Sequence, residues 1–397
     1  MFYSFGSGKL HPPHVNGLIY RRLSLISRII FAITHNLGYI FLVTFNLEYC
    51  NTVKKLTVCT RYTRLGASSR LRFYDYAPLL KAEGIETDIH PLLGDSYIKK
   101  LYAGKKSRIS GSLSLAKRMA QAPFWGNELL IEYELLPFLP INIEKLLLNK
   151  RRYVLAFDDA VWMKYRGIRR LDGKFEELAR HASGIISAND TITSHLAPYN
   201  SNIIKIPTAV DVNKYLQAQG GKDEKFTVAW IGTPVTCKEC LLPFAGMLKA
   251  AARKLDFKLL VIASRDLPPI DGVDTETVDW SLETEAMLLK RAHIGIMPLP
   301  EDDFMRGKSA YKLIQYLASG LPCIASPVGE NKVLLAQKEV GFSAATEDEW
   351  CDRLLRLAAD AELRSKLSSN ALELAQEYSI SHHAKRMAEF LTSAFGW

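Results

Sequence analysis

From residue 53 onward, short apolar runs of strand length alternate with longer stretches whose apolar positions recur at helical spacing. In the first half the runs fall at 55–59, 85–90, 129–133, 153–157, 184–188 and 203–206, and the helical stretches at 70–83, 112–120, 139–149 and 173–182. The second half repeats the rhythm, with strands expected at 226–231, 257–263, 275–279, 294–298 and 322–325 and helices at 241–254, 282–292, 308–319 and 329–337. Alternation on this scale predicts an α/β protein whose parallel sheets are covered by helices on both faces. The polar stretch 217–224 carries no apolar periodicity and marks a break, so two doubly wound domains are expected, 53–207 and 208–379. Residues 350–395 read as amphipathic helix interrupted only at Tyr378-Ser379, with 380–397 set apart as a helix that crosses back to the N-terminal domain.

Residues 1–52 differ from the rest. Their apolar run, 29–47, follows Arg21, Arg22 and Arg28, the order of a signal peptide or signal anchor. Within it, His35, Asn36 and Asn46 would have to be desolvated in a bilayer, and no small-residue cleavage site follows. The favoured reading makes Val53 the start and 1–52 a non-native or disordered leader; a membrane anchor and a docked extension are the alternatives.

With 48% apolar and 23% charged residues the chain is a folded one, and six cysteines over 397 residues are too few for a disulfide scaffold, which points to a reducing compartment. The net charge of +9 is uneven. Residues 53–205 hold 25 basic and 15 acidic side chains, whereas 206–397 hold 22 and 26. The first domain therefore suits an anionic membrane surface or a polyanion, unless the excess serves solubility alone. It lacks the aromatic-interleaved basic stripe that nucleic-acid binding needs.

In doubly wound folds ligands sit beyond the carboxyl ends of the strands, so residues just after each strand are the candidates. Pro298–Gly329 is the most informative segment. At 100° per residue Lys308, Lys312 and Gln315 fall within about 60° of one another, opposite Leu313, Ile314 and Leu317. Arg306 and Lys308 bracket Gly307 where the helix is expected to begin, so backbone N–H groups and two cations converge on one anion, for which a diphosphate is the natural guest. The competing reading is the solvated face of an ordinary helix. In the first domain, the loop with Gly66, Ser68, Ser69 and Arg70 follows a strand and opens a helix, which suits a phosphate or sugar cradle or a plain helix cap. Asp158 and Asp159 are adjacent carboxylates at a strand end, placed to bond sugar hydroxyls, with a helix cap by Asp159 as the alternative. Cys237-Lys-Glu-Cys240 has no second pair at zinc spacing, Gly6-Ser-Gly-Lys9 follows no strand, and His382-His383 read as surface residues, so none is taken as a site.

Several segments, in order, resemble glycosyltransferase family 4 (the "glycosyltransferases group 1" domain). Gln315-Tyr-Leu-Ala-Ser-Gly-Leu-Pro-Cys-Ile-Ala325 is similar to its motif E-A-M-A-x-G-x-P-V-V-A, Ile206-Pro-Thr-Ala-Val-Asp211 to its I-P-N-G-V-D, and Lys55–Arg61, Gly66 and Trp230-Ile-Gly232 to its first strand, first glycine loop and donor-domain opening. The resemblance covers about 53–380. It implies the GT-B fold, two Rossmann-like domains facing a cleft, and a retaining, metal-independent hexosyltransferase. Such an enzyme uses a nucleoside-diphosphate sugar as co-substrate and no further cofactor. The acceptor would be a glycan or lipid-linked hydroxyl in cell-surface polysaccharide synthesis, met in the cytoplasm or on the inner membrane. Lys308, Arg306, Asp158 and Asp159 would be catalytic, and Gly232, Thr233, Gly307, Tyr311, Lys312 and Gln315 would hold the donor. Gly66, Ser68, Ser69 and Arg70 would serve acceptor or phosphate. The chain departs from the family in carrying Gly307 and Gln315 where most members have paired glutamates, and no basic residue directly follows Gly232, although Lys238 stands near the next such position. A catalytically silent partner protein and a two-lobed solute-binding protein are the rival readings; the latter expects no cationic cluster at one helix start.

Overall fold

The computed structural model describes residues 53–102 and 108–397; the expectations for 1–52, the Gly6–Lys9 segment included, lie outside the described residues. Strands β1 (Lys54–Tyr62), β2 (Ile85–Leu93), β3 (Glu128–Glu132), β4 (Arg152–Phe157), β5 (Gly184–Ser187) and β6 (Ile203–Lys205) form one sheet in the order β2-β1-β3-β4-β5-β6. Strands β7 (Thr227–Ile231), β8 (Lys258–Ala263), β9 (Asp274–Asp279), β10 (Ile294–Met297), β11 (Cys323–Ala325) and β12 (Gly341–Ser343) form a second, in the order β12-β11-β10-β7-β8-β9. Every pairing within the two sheets is parallel. The central strands are apolar almost throughout because both faces are covered: Val154, Leu155 and Phe157 of β4, and Val228, Ala229 and Trp230 of β7, are wholly buried. The edge strand β9, Asp-Thr-Glu-Thr-Val-Asp, is polar. The order in which strands are added reverses between β1 and β3 in one sheet and between β7 and β10 in the other, and these switch points open crevices at the strands' carboxyl ends.

Some elements differ from the expected ones for local reasons. The stretch 70–83 is a π-helical turn, Arg70–Tyr74, followed by a separate helix, Ala77–Ala82. The stretch 241–254 enters through the turns Cys237–Leu241 and Leu242–Phe244, because Pro243 has no N–H to continue a ladder, and becomes regular at Ala245–Ala252. The tail breaks at Asp360 as well as near Tyr378. Asp360 accepts from Leu363 N at 2.8 Å and so caps a new helix. β12 is three residues long, too short for a periodicity to register. His383 is buried, against the surface expectation; burial and the neighbouring Arg386 lower its pKa to about 4.

Two crossings join the domains. The outgoing one runs through Ile206–Val210, and the return at Tyr378–Ile380 lies beside it: Val210 N donates to Tyr378 O at 3.0 Å and Ile380 N to Val210 O at 2.9 Å. The last helix, Ile380–Phe395, then covers the first sheet, with Ala384, Met387, Ala388, Leu391 and Phe395 packed among Leu56, Val58, Val154 and Ile186. No helix among the described residues is long and apolar enough to cross a membrane.

Candidate functional site: the crevice between the sheets

A crevice of about 680 Å³ lies between the carboxyl ends of the two sheets. Its second-domain wall begins with Gly232 and Thr233, directly after β7. A Cβ on Gly232 would stand 2.5 Å from the Trp230 ring and 2.7 Å from Thr236 Oγ1, so only glycine lets the chain turn here. Thr233 accepts from Thr236 N at 3.2 Å and caps the turn that follows. The same wall carries Lys308, Tyr311, Lys312 and Gln315. Lys312 Nζ lies 5.3 Å from the centre of the Trp230 ring, and Lys308 Nζ 5.0 Å from that of Phe304. Neither lysine has a carboxylate partner among the described residues. Burial, and then the charge of Lys308, push the Lys312 pKa down to about 8.

Two residues expected in this wall are elsewhere. Asp302 accepts from Met305 N and starts a short helix, Asp303–Arg306, which ends at Gly307. Ala310 is left-handed, with φ 51°, so the next helix begins only at Tyr311. Arg306 and Lys308 therefore do not flank one helix start. The half-exposed Arg306 guanidinium pairs with Glu301 at 3.1 Å and Asp303 at 3.0 Å and takes no part in the crevice. Gly307 is a junction between the domains. Its carbonyl accepts from Asn189 Nδ2 at 2.9 Å, and a Cβ there would lie 2.4 Å from that of Ala160. Lys238 is exposed and outside the walls. Cys237 and Cys240 are buried thiols, raised in pKa by that burial, and no third metal-ligating group joins them among the described residues.

The first-domain wall holds Ser68, Arg70, Asp158 and Asp159. Ser69 is turned inward, where it hydrogen-bonds Glu132 at 2.5 Å, and Ser68 meets the other Glu132 oxygen at 2.9 Å. Gly66 lies behind the wall, close under Tyr62, where a Cβ would be 2.4 Å from that side chain. Arg70 is buried, 5.1 Å from the centre of the Trp280 ring, and its Nε has no hydrogen-bond partner. This stack joins the two domains. Asp158 bonds the Tyr133 hydroxyl; burial first, and Asp159 second, raise its pKa to about 8. Asp159 does not cap the turn after it, which starts from Ala160 without a side-chain cap.

Residue patterns did not disclose Glu285, Trp280, Tyr215 or Lys99. Trp280 immediately follows β9 and Glu285 opens the helix Glu285–Lys290, so the rule of inspecting strand ends could have found the first. Nothing in the sequence links Glu285 to Gln315, thirty positions on.

Against solved structures, sucrose-phosphate synthase from Thermosynechococcus elongatus aligns with a TM-score of 0.63 at 14% identity, over 86% of this chain and 99% of that one. The fold is GT-B. Two further GT-B structures align comparably. A glycosyltransferase from Rickettsia africae gives a TM-score of 0.61 at 12% identity, over 86% of this chain and 99% of that one. Anabaena HepE, crystallised with UDP-glucose, gives 0.61 at 13%, over 85% and 99%. No family model matches the chain, and no curated protein does.

Proposed function

We propose that this chain is a GT-B glycosyltransferase, a divergent relative of family 4, that moves a hexose-type sugar from a nucleoside diphosphate to a hydroxyl acceptor with retention. The observation that carries the reading is the pair Lys308 and Lys312, without carboxylate partners among the described residues, at the β7/β10 switch point and on the wall opposite Asp158 and Asp159. Two neighbouring ammonium groups in a partly dry site repel each other, and a diphosphate relieves that repulsion. The crystallisation of HepE with UDP-glucose supports a nucleotide sugar as the guest. The solute-binding rival expects no such cationic cluster.

In the reaction, the bond from the anomeric carbon to the diphosphate oxygen breaks and a bond to the acceptor oxygen forms on the same face. The acceptor's proton passes to the departing phosphate. Lys308 and Lys312 stabilise the charge that grows on that phosphate, without a metal. Asp158 holds a proton at neutral pH and can donate a hydrogen bond to a sugar or acceptor oxygen, with Asp159 orienting the same group. Arg306, engaged by Glu301 and Asp303, has no part in this scheme. A glycan or lipid-linked acceptor enters over the first domain. Its basic excess, with exposed Ile109, Leu113 and Phe124, supports a place on an anionic cytoplasmic membrane surface.

The test is transfer or donor hydrolysis with a panel of nucleotide sugars. Lys308→Ala should lower turnover at least about a hundredfold, as loss of one transition-state cation does, with the melting temperature nearly unchanged. Turnover that survives the substitution removes the phosphate role. UDP binding without turnover of any donor favours the silent partner protein.

A further inference from the structure

Gln315 is buried on the second-domain wall of the crevice. Its side-chain nitrogen lies 3.2 Å from Glu285 Oε2 and 3.0 Å from the Tyr215 hydroxyl oxygen. A carboxylate only accepts, so the end of the amide that faces Glu285 is the NH2. Glu285 is itself bonded at both carboxylate oxygens. Lys214 Nζ at 2.6 Å and the Tyr215 hydroxyl at 3.0 Å donate to its Oε1, and Trp280 Nε1 at 2.7 Å joins Gln315 on Oε2. With both N–H groups committed, Gln315 has its carbonyl oxygen left for the crevice, and no donor among the described residues engages that atom.

We propose that Glu285 is a positioning residue: it locks the Gln315 amide with the carbonyl oxygen toward the crevice, so that this wall accepts a hydroxyl hydrogen from the bound nucleotide sugar. The ligand named here rests on the donor reading above. An unlocked amide can turn over and meet a donor or an acceptor equally well; a locked one demands a donor. A ligand lacking the hydroxyl then leaves a desolvated carbonyl unpaired, which is the costly side of a hydrogen bond. The hydroxyl can belong to the pentose or to the transferred sugar.

Two measurements test this. In the free protein, the side-chain NH2 of Gln315, assigned by its loss in Gln315→Leu, should exchange with deuterium far more slowly than exposed glutamines, and Glu285→Met should abolish the protection. Exchange as fast as on the surface overturns the lock. Titration calorimetry then compares UDP with its 2′- and 3′-deoxy forms, and UDP-glucose with its deoxyglucose forms. The wild-type protein should bind one deoxy ligand about tenfold more weakly than its parent. A loss confined to the UDP series assigns the pentose; a loss confined to the UDP-glucose series assigns the transferred sugar. Glu285→Met and Gln315→Leu should bind parent and analogue alike, and Gln315→Leu decides alone should Glu285→Met fail to fold. Equal binding of all ligands by the wild-type protein, or an undiminished preference in Gln315→Leu, overturns the proposal. Slow exchange together with no binding of UDP overturns the donor reading and supports the lock.

Discussion

On the proposed donor reading, Lys312 couples occupancy to pH. Its folded pKa, lowered to about 8, means that in the empty protein the neutral amine is favoured over the ammonium relative to the unfolded chain. The empty protein should therefore gain stability from this group as pH rises from about 8 to about 10.5, because over that range the unfolded chain binds more protons. Bound diphosphate reverses the preference and raises the pKa, so affinity for UDP should fall by up to about tenfold per pH unit above 8. Melting curves and calorimetric titrations between pH 7.5 and 9.5 should show these opposite trends, and Lys312→Met should flatten both. Proton uptake on binding near pH 8, absent from the variant, is the direct signature. The terminal phosphate, which ionises near pH 6, is already charged over this range.

At the scale of elements, the strand–helix rhythm was legible because buried parallel strands are apolar without interruption, as in Val154–Phe157 or Leu259–Ile262. The start of the 308–319 helix was not. It was expected at 308, and nothing in the residue types betrays the left-handed Ala310 that holds it back to Tyr311, behind a separate short helix at Asp303–Arg306. That division turns Arg306 out and sends Gly307 against the first domain. A single methyl at Gly307 would overlap Ala160, so Gly307→Ala should cost about 1–3 kcal/mol and weaken UDP binding by loosening the crevice. Chemical denaturation and calorimetry check both effects; an unaltered midpoint would show that the junction yields freely. Asn189, which no sequence pattern singled out as a site, gains its meaning here too: it caps its own helix through Ile192 N and reaches Gly307 O across the junction. Such partnerships join residues more than a hundred positions apart, beyond the reach of any local pattern.

For the whole molecule, the last helix is a structural part of the first domain. Met387, Leu391 and Phe395 are buried against the first sheet, and at roughly 2 kcal/mol for each large apolar side chain their loss approaches the stability of an ordinary domain. Deletion of 380–397 should thus leave the first domain without a cooperative transition, seen by circular dichroism and by proteolysis within 53–205. A truncated chain that still melts cooperatively at the wild-type temperature would assign that helix a lesser role. The paired crossings at Val210 and Ser379 carry a different consequence. Two ties lying side by side act as a narrow strap, which bends easily about the line it defines and resists twisting or sliding. Any opening about that line must part the Arg70–Trp280 stack and the Asn189–Gly307 hydrogen bond, and it carries the lysines away from Asp158 and Asp159 together.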